Sequence, residues 1–278
     1  RGDWPSLPGS RRRLHQACQG RTPTGRQCSD GPRRTGLILR SQPPGAPDSD
    51  DVRVRARVAY HGAPFHGFAD NLGVTTVAGV LNASLGRAVG EPVAVTCAGR
   101  TDRGVHALGQ VVSFDLPDGT DLGTLARSVN AQCGPAVFMA NLVVAADDFD
   151  ARFSATGRTY RYRILNRSEP DPLLADQSWH VPEPLDLEAM AEAGRHLLGV
   201  HDFASFCRRP RTGRSVEPSL VRRVEALSWI GPDGEGVLVL EITASSFCHQ
   251  MVRSIVGTLV AVGQGRRSAA DTPAVIAA

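Results

Sequence analysis

Residues 52–60 alternate valine, alanine and tyrosine with arginine or alanine, the two-residue period of a half-buried strand. The period then changes. Across residues 76–89, Val77, Val80, Leu81 and Leu85 fall on one stripe of a 3.6-residue repeat, which predicts a helix. Residues 92–97 and 110–115 are short apolar runs that predict two strands. Asp121 opens a second helix carrying Leu122, Leu125 and Val129, and residues 137–144 read as a strand. The resulting order, β-α-β-β-α-β, is that of a ferredoxin-like split unit.

The pattern then starts again. Residues 159–164 alternate as a strand, 187–198 as a helix, and 220–230 and 236–243 as strands joined by Gly231-Pro232-Asp233-Gly234. Residues 250–262 predict a helix with Met251, Ile255, Val256 and Leu259 inward. A sixth element, a strand, has no counterpart before Ala278. The expected class is α+β, with two ferredoxin-like halves at 51–157 and 158–278 and the second truncated at its end.

Residues 1–50 change the picture. They mix Arg, Pro, Gly and Ser without apolar periodicity, and nine arginines stand there against Asp3, Asp30, Asp48 and Asp50. Such a segment buries too little surface to offset its ordering entropy and is expected to be a disordered extension. The remaining 22 arginines face 24 acids, so the small positive total of +3 conceals a slightly acidic body. Lysine is absent, and every basic side chain is a guanidinium, a planar fork suited to phosphate. The cysteines at 18, 28, 97, 133, 207 and 248 have no metal-ligand spacing and suggest reduced thiols. No metal site is expected. No apolar run approaches the length of a membrane span.

Chemistry concentrates at Ala98-Gly99-Arg100-Thr101-Asp102-Arg103-Gly104-Val105-His106-Ala107. One carboxylate sits there in a turn between two predicted strands, among arginine and histidine side chains. A carboxylate so placed stays ionised at neutral pH and can serve as a nucleophile or base. A turn-capping aspartate satisfies the same short pattern, and the local residues alone leave both readings open.

The longer string, GRTD-x-GVHA followed by GQVVSF, resembles the active-site segment of the TruA-type tRNA pseudouridine synthases. Further stretches carry the same resemblance. They are His61-Gly62-Ala63-Pro64-Phe65-His66-Gly67-Phe68, residues 147–155 with Arg158-Thr159-Tyr160-Arg161-Tyr162, residues 198–206 around His201-Asp202-Phe203, and Phe247-Cys248-His249-Gln250-Met251-Val252-Arg253. There are departures. His61 stands where the family has an acidic residue, and Ala69-Asp70-Asn71 replaces its Gln-x-Gln. The family also carries a further helix and a site-lining strand after the 250–262 helix.

The resemblance implies a pseudouridine synthase fold and isomerisation of uridine to pseudouridine in the anticodon stem-loop of tRNA, at the positions numbered 38 to 40. It implies no cofactor, tRNA as partner and a homodimer; the cysteine usage suggests a cytoplasmic location, and the short apolar runs suggest no membrane association. Asp102 becomes the catalytic nucleophile. Tyr160, whose ring can stack on a flipped uracil, and Arg253, expected to pair with Asp102, complete the catalytic set. Arg100, Thr101, Arg103 and His106 are expected to contact RNA. Arg208, Arg209, Arg211 and Arg214, in a loop free of acids, are expected to hold its phosphates. The competing expectation is a catalytically impaired RNA-binding remnant of the same fold.

Overall fold

The structure, a computed structural model, describes residues 51–208 and 219–278. Two sheets carry helices over one face each, around two separate hydrophobic cores. The first sheet has the order β2-β3-β1-β4, all antiparallel, from β1 (Asp51–Tyr60), β2 (Thr96–Cys97), β3 (Ala107–Pro117) and β4 (Val137–Val144). In β1 the alternation works as expected: Val54, Ala56, Val58 and Tyr60 are buried, and Arg55 and Arg57 are exposed.

Helices α1 (Val77–Val89) and α2 (Leu122–Cys133) cover this sheet with Leu81, Leu85, Leu125 and Val129. The Thr76 side chain accepts from Gly79 N–H and Asp121 accepts from Gly123 and Thr124, which satisfies donors that each helix start leaves unpaired. The expected strand at 92–97 shrinks to its last two residues. Pro92 has no N–H to give a ladder, and Val95 N–H donates to the Asn82 side chain of α1 (3.0 Å) instead.

The second sheet has five strands in the order β6-β5-β9-β8-β7. They are β5 (Arg158–Leu165), β6 (Trp179–His180), β7 (Gly199–Asp202), β8 (Val221–Ile230) and β9 (Val237–Ala244). The long strands are antiparallel, and β6 joins β5 in parallel. Among the described residues β6 pairs with β5 only through Ile164 and Leu165. Helices α3 (Leu187–Arg195) and α4 (Met251–Gly263) close the second core, and α5 (Thr272–Ala277) follows them. β6, β7 and α5 are shorter than a hydrophobic period can register, which is why the patterning missed them.

The expectation of reduced thiols is corrected at one pair. Cys207 and Cys248, 41 residues apart in sequence, are bonded to each other with Cα atoms 5.8 Å apart, whereas Cys97 and Cys133 are free and buried. Spacing arithmetic cannot see a pairing made by two loops that meet only in the fold. The 1–50 extension, with its expected disorder, lies outside the described residues, as do Arg209, Arg211 and Arg214.

Candidate active site

The Asp102 loop leaves the short β2 and returns as β3, and several of its backbone groups are claimed by neighbouring segments. Gly99 N–H donates to the Gln110 side-chain oxygen (3.2 Å), and the Gln110 amide donates back to Gly99 C=O. Thr101 accepts at its carbonyl from Phe68 N–H (3.0 Å), and its hydroxyl meets the Tyr60 hydroxyl (2.8 Å). Val105 N–H donates to Asp102 C=O (3.2 Å), closing the turn, and Gly104 takes the left-handed φ of 77° that this closure needs. The loop also lies hard against residues 61–67. A Cβ on Gly62 would sit 2.1 Å from Val105 O, so only glycine fits there. Asp102 is thus presented by a fixed frame, with its side chain 47% exposed.

The facing wall comes from the second sheet. Tyr160 stands on β5, and its ring meets Phe247 edge to face with centroids 4.9 Å apart. Burial, and after it the negative charge of Asp102, holds the Tyr160 phenol above its ordinary value. At neutral pH it is therefore a proton donor and not a base. His249 places Nε2 3.6 Å from Asp102 Oδ1. Its loop is secured by Arg208 N–H, which donates to His249 C=O (3.0 Å), and by the adjoining Cys207–Cys248 bond. Beneath the site, burial pushes Tyr60 up to about 12 and the Cys97 thiol up to about 11. Both are neutral at physiological pH.

The structure brings Asp102, Thr101 and Tyr160 together and leaves Arg100 and Arg103 exposed beside the carboxylate. Thr101 and His106 have internal partners. His106 Nδ1 accepts from Gly62 N–H (3.1 Å), so Nε2 carries the proton and donates to Asp176 C=O (2.9 Å). His61 Nε2 lies 3.0 Å from the Asp176 carboxylate, which fastens the 171–178 segment to both loops of the first wall. Arg208 is exposed and contributes its main chain here.

Arg253 does not make the expected pair with Asp102. Gln250, at φ 64°, turns the chain into α4 with Met251 fully buried, and Arg253, about 200° further round the helix, is exposed. The described basic side chain that does approach the carboxylate is His249, at 3.6 Å.

Sequence reasoning gave no site role to Tyr60, Gln110, Arg158 or Asp176, and read His249 only as structural or RNA-contacting. Four of these lie in or beside stretches that carried the resemblance. Asp176 had no signal, because its role is a contact made across the fold. Among the described residues no group of three or more metal-ligating side chains is assembled. A fixed, half-exposed carboxylate with a protonated phenol near it suits attack on, or proton transfer with, a polar heterocycle.

The sequence model of a family described as tRNA pseudouridine synthase matches residues 193–278. A tRNA pseudouridine synthase A of Frankia casuarinae is 46% identical over 220 residues, covering 78% of this chain and 77% of that protein. The proteins of the same name from Leifsonia xyli and Rhodopseudomonas palustris are 41% and 42% identical over 241 and 229 residues. Those matches cover 79% and 81% of this chain, and 82% and 90% of the relatives. The chain belongs to the tRNA pseudouridine synthase family. Within it, these relatives all carry the name tRNA pseudouridine synthase A.

Proposed function

We propose that this protein isomerises uridine to pseudouridine in tRNA, with Asp102 as the nucleophile. The reaction breaks the bond from N1 to ribose C1′, turns the uracil, and joins C5 to C1′. The proton leaving C5 is matched by one gained at N1, so no redox partner or cofactor enters. The observation that carries this reading is the approach of the second sheet's side to Asp102: His249 Nε2 stands 3.6 Å from its carboxylate, and Tyr160 on β5 lies near enough to feel its charge. The Tyr160 ring, braced by Phe247, offers a stacking surface for an extruded base, and its phenol is kept protonated to donate.

Two ferredoxin-like halves, 51–157 and 158–278, the second without the closing strand of the unit, supply the two walls in this reading, and the substrate is the anticodon stem-loop at positions 38 to 40. Arg253 swings from the first turn of α4 to the carboxylate when RNA binds. The neighbouring His249 supports this, since it already brings that segment within 3.6 Å of Asp102. Arg100 and Arg103 grip the RNA beside the extruded base, and Arg208, Arg209, Arg211 and Arg214 hold its phosphates. The protein works as a homodimer in the cytoplasm. No helix among the described residues is long and apolar enough to cross a membrane.

The test is tritium release from C5-labelled uridine in tRNA. Asp102→Asn should slow it by on the order of 10³-fold or more while tRNA binding stays within a few-fold. Turnover within tenfold of wild type would remove Asp102 from the chemistry, and an inactive wild-type enzyme that still binds tRNA would favour the RNA-binding remnant.

A further inference from the structure

We infer that Arg158 is a positioning residue for this reaction: it clamps the Asp102 loop to the strand that carries Tyr160. Arg158 is the first residue of β5 and lies on the same face as Tyr160, two residues on. Its guanidinium reaches out of its own sheet. Nη1 donates to Ser245 C=O (2.8 Å), just past the end of β9, and Nη2 donates to Ala98 C=O (2.6 Å), at the mouth of the Asp102 loop. Nη2 also lies 3.3 Å from Arg152 C=O, on the segment that links the two sheets.

Two of these carbonyls, those of Ala98 and Ser245, are roots of the site. Ala98 N–H donates to Val111 C=O (2.9 Å), so its peptide is caught between β3 on one side and Arg158 on the other. Ser245 begins the loop whose Phe247 braces the Tyr160 ring and whose His249 approaches Asp102. One side chain therefore fixes the base of the nucleophile's loop, the base of the facing loop, and the strand of the phenol. Along a strand, two residues span only about 7 Å, so a shift at Arg158 passes almost undiminished to Tyr160.

The chemistry asks for arginine in particular. Carbonyls arriving from three directions need several donors held in one plane, and a guanidinium supplies five in a rigid fork. A lysine ammonium keeps the charge but is a single point on a flexible stem. Gly99 is part of the same fit: a Cβ there would touch the Arg158 side chain at 3.8 Å, so the guanidinium packs directly over the loop. The Arg158 charge also acts on the Tyr160 phenol in the opposite sense to Asp102. A position that touches no substrate thereby bears on both reacting groups.

This inference rests on the assignment of Asp102 and Tyr160 to the reaction. The test measures single-turnover tritium release, tRNA affinity and melting temperature for Arg158→Gln and Arg158→Lys, each alone and combined with Tyr160→Phe. Misplacing the walls by about 1 Å should lower the rate of Arg158→Gln roughly 100-fold with tRNA affinity within about threefold. Arg158→Lys should recover less than a tenth of that loss although it retains the charge. In the Tyr160→Phe background the Arg158→Gln effect should shrink to a few-fold, because the alignment it provided no longer has an object. Full recovery by lysine, losses that simply multiply with Tyr160→Phe, or a loss confined to tRNA affinity would overturn the inference. If Arg158→Gln does not fold, the lysine variant carries the same comparison. Failure of the functional assignment is separate: Asp102→Asn would then release tritium normally whatever Arg158 does.

Discussion

The two walls of the cleft are held in different ways. The Asp102 loop is fixed by main-chain hydrogen bonds to neighbouring segments, by the Gln110, Tyr60 and Arg158 side chains, and by glycines that let residues 61–67 pack against it. The 245–250 loop opposite is held mostly by side chains: the Cys207–Cys248 bond, the Phe247–Tyr160 contact and the Arg158 guanidinium on Ser245. One wall is thus rigid by construction and presents the nucleophile, whereas the other is tethered at a few points. This division suits a reaction in which a base must enter, turn and leave. Precise placement is needed at Asp102, and some give is needed around the moving base.

The largest effect should come from breaking the rigid wall. Gly62→Ala forces a methyl into Val105 O, a backbone atom with nowhere to retreat, and so pushes the Asp102 loop outward. We expect a rate loss of about 100-fold or more with the second wall unaltered, read by tritium release together with hydrogen exchange across both loops. Normal activity would mean that the first wall is as compliant as the second.

Next comes the tether. Cys207→Ser with Cys248→Ser, or a reductant on the wild type, should cost about 2–4 kcal/mol of stability by freeing a 41-residue separation in the unfolded chain. Amide exchange should quicken in the 245–250 loop and not in residues 98–105. Equal quickening in both would erase the distinction between the walls.

Alkali probes the buried phenol beneath the rigid wall. Burial pushes Tyr60 up to about 12 in the fold, from about 10 for a free tyrosine. A raised value means that the fold favours the protonated phenol. The contribution is therefore complete below pH 10 and is lost as pH rises through 12, up to about 3 kcal/mol in all. Tyr60→Phe should lose about 1 kcal/mol at pH 8 with the Thr101 hydrogen bond, yet decline less between pH 8 and 11.5 in urea unfolding. Parallel declines would place the alkaline sensitivity elsewhere.

His249 should matter least of the four. Its pair with Asp102 is 3.6 Å long and close to half exposed on both sides, so His249→Ala should change the rate less than about fivefold. A larger loss would make the tethered wall part of the chemistry and not only its support.

The chain's own pattern made much of this legible. Strict alternation in β1 and the helical stripe of Val77, Leu81 and Leu85 mark elements whose burial follows from local periodicity, and both were found where expected. The loop around Asp102 could be singled out because its glycines, its carboxylate and its flanking strands are contiguous. The failures have a common cause. Val95 was lost to the Asn82 side chain, Cys207 found Cys248, and Arg253 turned outward while His249 approached Asp102.

The sequence by itself determined which segments alternate with a period of two or 3.6, and where a carboxylate is held in a glycine-bearing turn. It also determined, through similarity along most of its length, the family to which the chain belongs. These properties are encoded by neighbours in the chain. Only the tertiary structure decided which groups face Asp102, which cysteines meet, and that Arg158 spans from its own strand to the nucleophile's loop. Those are contacts between residues tens of positions apart, set by how two sheets and their loops pack, and no local period carries that information.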